Sequence, residues 1–224
     1  MTAAFIPSAA PFFVNPRSYS PFWKVRLRTA LDIPAIRQLM VRVFPPPHGP
    51  AMLWSEVTLL GHLEVFPEGQ LVAQLEDGRI IGTATTLRVS RAKAFNPHRW
   101  SEISGQGTLS THDPAGSILY GVNIAVDPAF QGRGVGYSLY MARLDRARDL
   151  GCSALVTGAR IPGFRRHSGR LTPEAYVAEV VRGSLRDPTL SKHLRMGFGV
   201  QGVLRDYAYD YETLGHAAFI VLEP

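Results

Sequence analysis

The ten residues from Ser117 to Val126, SILYGVNIAV, are nearly all apolar, the pattern of a strand covered on both faces of its sheet. On either side of this run the chain alternates between the strand period and the helix period. WKVRLRTA, from Trp23, predicts a first strand. LDIPAIRQLMVRVF predicts a helix that buries Ile33, Ile36, Leu39, Met40 and Val43, tolerates Pro34 in its first turn and stops at Pro45, Pro46 and Pro47. MLWSEVTLLGHLEVF reads as a second helix ended by Pro67, and GQLVAQLE and RIIGTATTLRV as a hairpin turning at Asp77-Gly78.

Residues 89–116 carry no convincing period and are expected to form an irregular cover on the substrate side. After the apolar strand, Tyr137, Tyr140, Met141, Leu144, Ala147 and Leu150 fall at helical spacing opposite Arg143, Arg146 and Asp149, with Gly151 as a C-terminal stop. SALVTGAR then predicts a strand, TPEAYVAEVVRG and DPTLSKHLRMG two helices, and FGVQGVLRDYAYD and HAAFIVL two closing strands. Residues 1–22 are rich in proline and aromatics without a period, and read as an arm docked on its own body or on a partner subunit, ahead of a domain over 23–224.

Composition narrows the class of protein. With 224 residues and 46% hydrophobic content the chain can bury a sizeable core. The single cysteine, Cys152, permits no internal disulfide and fits a reducing compartment. The start lacks a basic region and is interrupted by Pro7 and Pro11, which speaks against a signal peptide, and no run approaches the ~18 apolar residues of a membrane helix. A soluble, cytoplasmic protein is expected. A net charge of +6 favours anionic partners, but nucleic acid is not the expected one, since the basic loop around Arg165 has only Phe164 for stacking. Seven scattered histidines, with no H-x-H or H-x-x-x-H pair and no cysteine partners, speak against a metal site.

The segment with the most chemistry is VDPAFQGRGVG, residues 126–136. An apolar strand, an Asp-Pro turn, three glycines at alternate positions and a helix expose backbone N–H groups at a positive helix end, which suits phosphate oxygens. No Gly-Lys pair exists for a Walker loop, and the spacing G-x-G-x-G is not the dinucleotide fingerprint. The pattern Gln131-x-x-Gly134-x-Gly136 behind an apolar strand resembles the acyl-CoA pyrophosphate loop of the GNAT superfamily of N-acetyltransferases. The segments FPEGQ, STHDP, LYG, GARIPG, SLRDP and RDPTLSKHLRMGF look like the acetyltransferase half of proteins that fuse this domain to a nitrilase-like hydrolase, a half expected to be absent here.

That resemblance implies an α/β (α+β) fold in one domain, with a mixed, mostly antiparallel central sheet flanked by helices. It implies an acyl-CoA dependent N-acyltransferase, using acetyl-CoA and no metal, that acts directly on a small-molecule or peptide amine; a homodimer is compatible with the sequence. The backbone of Ile124, Ala125 and Val126 would pair with the pantetheine arm, and Gln131, Gly132, Arg133, Gly134, Val135 and Gly136 would take the pyrophosphate. Strands four and five would splay, and a bulge would present an N–H to the thioester oxygen. Where relatives carry a tyrosine before a Gly-Phe pair as acid for the leaving thiolate, this chain has His193. Tyr120 and Asn123 are further catalytic candidates. Thr157 with Arg160, Arg165 and Arg166 would face the acceptor. The rival expectation is a catalytically silent acyl-CoA binding or sensing module.

Overall fold

A computed structural model describes residues 22–45 and 53–224, so the expected arm at 1–22 lies outside the described residues except for Phe22. Seven strands form one sheet: β1 (Trp23–Leu27), β2 (Gln70–Leu75), β3 (Ile80–Val89), β4 (Ile118–Val126), β5 (Ala154–Arg160), β6 (Gly199–Leu204) and β7 (Ala217–Leu222). Their spatial order is β1-β2-β3-β4-β5-β7-β6. Every neighbouring pair is antiparallel except β4 and β5. This is the mixed, mostly antiparallel sheet that the resemblance implies.

Helices α1 (Ile33–Val43), α2 (Glu56–Val65), α3 (Arg91–Phe95) and α4 (Trp100–Ser104) contribute to the core on one face, with Ile118, Tyr120 and Val122 of β4. Helices α5 (Val135–Asp149), α6 (Pro173–Arg182) and α7 (Leu190–Arg195) cover the other face, where Leu119, Leu155 and Ala159 point. The alternation along β4 and β5 therefore sorts side chains between two different layers.

The expected helices and strands form, with informative departures. Ser55 caps α2 by accepting from the Thr58 N–H, so the helix begins after Leu53 and Trp54 rather than at the start of the apolar run. The last long expected strand ends at Leu204, and Arg205 to His216 form a loop that folds back on the sheet. Residues 89–116 are not an irregular cover. They contain α3 and α4 and bury Ile103 and Leu109, while the His62 imidazole bonds Gly107 O at 2.7 Å. On α5 the amphipathic reading errs twice, because Tyr137 is exposed and Arg143 is buried at 1% exposure.

Candidate active site

β4 and β5 pair only over Ile118↔Ala154, Leu119↔Leu155 and Tyr120↔Val156, and then diverge. At the point of divergence β4 bulges. Thr85 faces Asn123 and Thr86 faces Gly121, so Val122 has no partner on β3. The carbonyl of Val122 accepts the Trp100 indole N–H at 3.0 Å. The expected splay and bulge are thus both present, side by side.

Buried Arg143 fastens the bulge from the α5 side, its Nη2 donating to Thr85 O at 3.1 Å and to Asn123 O. Thr157 Oγ1 donates to Gly121 O at 2.8 Å, closing the last gap between the strands. Thr157, flanked by Leu155 and Ala159 on the α5 side, therefore faces the layer opposite to Tyr120.

Behind the end of β4, Asp127 caps a short turn through the Ala129 N–H, and Arg42 of α1 pairs with its carboxylate at 2.9 Å. The Gln131 amide donates to Val126 O at 3.0 Å, so its side chain ties the loop to the strand. Gly134 caps α5 at φ +100, a conformation that resists any side chain. Gly132, Arg133 and Gly134 are exposed, and a Cβ added at Gly136 would meet nothing nearer than Val126 at 3.9 Å. Val135 is buried under the loop, and Ile124 and Val126 are half-buried beside buried Ala125. The loop therefore presents an open backbone and a helix N-terminus to an anion, which is the fit that a pyrophosphate requires.

Beneath the splay on the α5 side, His193 is 5% exposed. Its Nδ1 lies 3.1 Å from Thr189 O, which can only accept, so Nδ1 carries the proton and Nε2 accepts the Tyr140 hydroxyl at 2.7 Å. Burial pushes its pKa down to about 4, opposed by the Thr189 carbonyl and assisted by the Arg143 charge. Neutral His193 holds Tyr140 in place rather than storing a proton near pH 7. Fully buried His62 is likewise pushed down to about 4 by burial, against its bond to Gly107.

These two histidines predict an acid-sensitive fold. Unfolded histidine titrates near about 6.5, so below that pH the unfolded chain binds protons that the folded chain refuses. Stability is fully present above about pH 6.5 and falls toward pH 4, at up to about 1.4 kcal/mol per pH unit for each histidine. Urea midpoints at pH 7 and pH 5 should differ accordingly, and His62→Leu should flatten the difference.

The opposite side of the splay holds a cluster that sequence reasoning found only in part. Tyr120 is fully buried, and its hydroxyl lies 2.8 Å from His98 Nε2 and 3.0 Å from the Tyr207 hydroxyl. His98 Nδ1 donates to Asn96 O at 2.7 Å, which makes Nε2 the acceptor and gives the chain one direction: Tyr207 to Tyr120 to His98. Burial holds the imidazole below its ordinary pKa and both phenols above theirs. Gly158 makes room for this arrangement, since a Cβ there would stand 2.5 Å from the Tyr207 ring. His98 and Tyr207 carry no motif, and no pattern in the sequence joins them to Tyr120.

Asn123 stands beside the bulge with its Oδ1 buried and unpartnered. The basic loop is less free than expected. Arg160 pairs with Asp210 and, at 2.8 Å, with Glu212, and the Arg165 guanidinium lies 3.2 Å over the Tyr211 ring. Arg166 remains exposed. Among the described residues no histidine, cysteine and carboxylate group is arranged for a metal ion, and no helix is long and apolar enough to cross a membrane.

Residues 33–165 match the family described as the Acetyltransferase (GNAT) family. The chain is also 34% identical over 196 residues to the Uncharacterized N-acetyltransferase YkwB of Bacillus subtilis, covering 88% of this chain and 86% of that one. It belongs to the GNAT acetyltransferase family. The Probable hydrolase YhcX of the same organism is 35% identical over 157 residues, which are 70% of this chain and 30% of YhcX. The fold is also that of the GphF GNAT-like decarboxylase solved with isobutyryl-CoA, with a TM-score of 0.74 and 26% identity, covering 89% of this chain and 98% of that one. The glycine loop and the splayed strands are the features of a GNAT acyltransferase in this chain.

Proposed function

We propose that this protein transfers an acyl group, typically acetyl, from coenzyme A to the amine of a small molecule or peptide within a ternary complex. The observation that carries this reading is the parting of β4 from β5 beside the Val122 bulge, with the open glycine loop at the end of the same strand. An extended pantetheine arm adds to the free edge of Ile124 to Val126 as a strand would, and the pyrophosphate rests on Gln131 to Gly136. The likeness to an acyl-CoA-bound fold and to YkwB supports the same donor.

The chemistry asked of the residues is modest. The amine nitrogen attacks the thioester carbon, the C–S bond breaks, the amine loses a proton and the thiolate gains one. Holding both reactants at the bulge supplies most of the rate. On the acceptor side, the Tyr207–Tyr120–His98 chain offers the departing proton a neutral imidazole as its end point. On the α5 side, Tyr140, held by His193, is the phenol nearest in role to the tyrosine acid of relatives.

A second reading follows from the decarboxylase likeness. The same cleft would hold a 2-carboxyacyl-CoA, whose C–C bond breaks to release carbon dioxide and leave an enolate that takes one proton. Incubation with acetyl-CoA and a panel of amines, following free thiol, separates the readings. Amine-dependent thiol release supports transfer. Loss of carbon dioxide from malonyl-CoA without thiol release supports decarboxylation, and tight binding with neither supports a silent module.

A further inference from the structure

We propose that Arg28 reads a carboxylate on the substrate that enters from the α1/α2 side of the sheet. This rests on the acyl-CoA reading of the splayed strands and adds to it the chemical class of what is bound there.

Arg28 follows β1 directly, and its N–H bonds Gln70 O at 2.9 Å. Its side chain crosses β2 to reach β3, where Nη2 donates to Thr83 Oγ1 at 2.9 Å and Thr85 Oγ1 at 3.0 Å. Those threonines stand opposite Ala125 and Asn123 of β4, on the bulge side of the strand expected to carry the pantetheine. The residue is 3% exposed, yet its Nε and Nη1 have no partner. The nearby carboxylate, Asp32, is engaged by both terminal nitrogens of Arg26 at 2.7 Å. No ion pair to Arg28 exists among the described residues.

A buried cation without an anion is costly, and burial lowers its pKa to about 10, with Asp32 opposing. It is also surrounded by acceptors in want of donors. Gln70 Oε1, Asn123 Oδ1 and His62 Nδ1 are buried without partners, on residues beside Arg28 or facing its threonines. Unpartnered N–H groups of a cation next to unpartnered acceptors are the complement of a carboxylate close to an N–H or O–H donor. Arg143, on the opposite face, differs in degree: its Nη2 is spent on two strand carbonyls and only its Nε lacks a partner, whereas the Arg28 side chain donates to two hydroxyls alone and leaves both Nε and Nη1 unpartnered.

The carboxylate has two sources. It belongs to the acceptor, as in an amino acid or peptide terminus, or to the acyl group, as in a 2-carboxyacyl thioester. Calorimetry distinguishes them without turnover. One arm compares malonyl-CoA with acetyl-CoA; the other compares N-acetyl amino acids with their amides on coenzyme A-saturated protein. Wild type should prefer the acid at least tenfold in one arm, and that arm identifies the source. Arg28→Met should erase the preference while keeping coenzyme A affinity within twofold, and Arg28→Lys should keep part of it. The unfolding temperature of Arg28→Met should equal or exceed that of wild type, because it removes a charge that the free protein leaves unpartnered. Equal binding of acid and neutral ligand in both arms, or a preference that survives Arg28→Met, would overturn the proposal. If coenzyme A and acetyl-CoA do not bind at all, the acyl-CoA reading falls and takes the role of Arg28 with it.

Discussion

Gly136→Glu is expected to weaken coenzyme A binding at least about 100-fold, or about 2.7 kcal/mol, with little loss of stability. Gly136 lies in the first turn of α5 with open space around it, so the substitution places a carboxylate among the exposed N–H groups without straining the backbone. Gly134→Glu should be at least as damaging to binding and should also lower stability, because residue 134 sits at φ +100, where a Cβ is strained. Gly136→Ala is the control and should bind nearly as wild type does. Calorimetry with coenzyme A reads all three, and wild-type affinity in Gly136→Glu would move the phosphates elsewhere.

Arg143→Met should be the most damaging change away from the loop. Its guanidinium is the donor that holds the paired residues Thr85 and Asn123 by their carbonyls next to the bulge, and methionine keeps the apolar stem but supplies no hydrogen bond. Loss of these two charge-assisted hydrogen bonds costs about 2–4 kcal/mol, after allowing for relief of the buried charge. That corresponds to an unfolding temperature lower by roughly 4–16 °C for a chain of this size. Turnover should fall further than stability, because the bulge then loses the geometry that presents its backbone to the thioester. A folded Arg143→Met protein with unchanged kcat would show that the bulge is not where the reaction occurs.

The legible and illegible parts of this protein divide along physical lines. The glycine loop is local: strand, turn, open backbone and helix follow one another in eleven residues, and each is required by the anion it serves. The splay and the bulge came from the family resemblance, not from any period in β4, because a bulge inserts one residue without changing the apolar character of the run. Arg143 illustrates how amphipathicity misleads. Its arginine sits on the face that the pattern assigns to water, yet the strand carbonyls above it offer better partners than solvent. His98 and Tyr207 lie 22 and 87 residues from Tyr120, and only the folding of two irregular stretches onto the sheet brings them together. That Thr157 and Tyr120 face different layers is equally hidden, because the face of a strand depends on register with its neighbours, and one strand's sequence does not contain that register. Residues 89–116 hid two short helices for a similar reason, since five-residue helices carry too few turns to show a period.

The central claim is that acyl-CoA lies along β4 past its bulge with its pyrophosphate on the glycine loop. Hydrogen–deuterium exchange with and without acetyl-CoA tests it most directly. Protection should appear in peptides covering residues 122–126 and 131–136, and Gly136→Glu should abolish it at the same ligand concentration. Protection confined to other parts of the sheet, or unchanged exchange in both segments at saturating acetyl-CoA, would contradict the account.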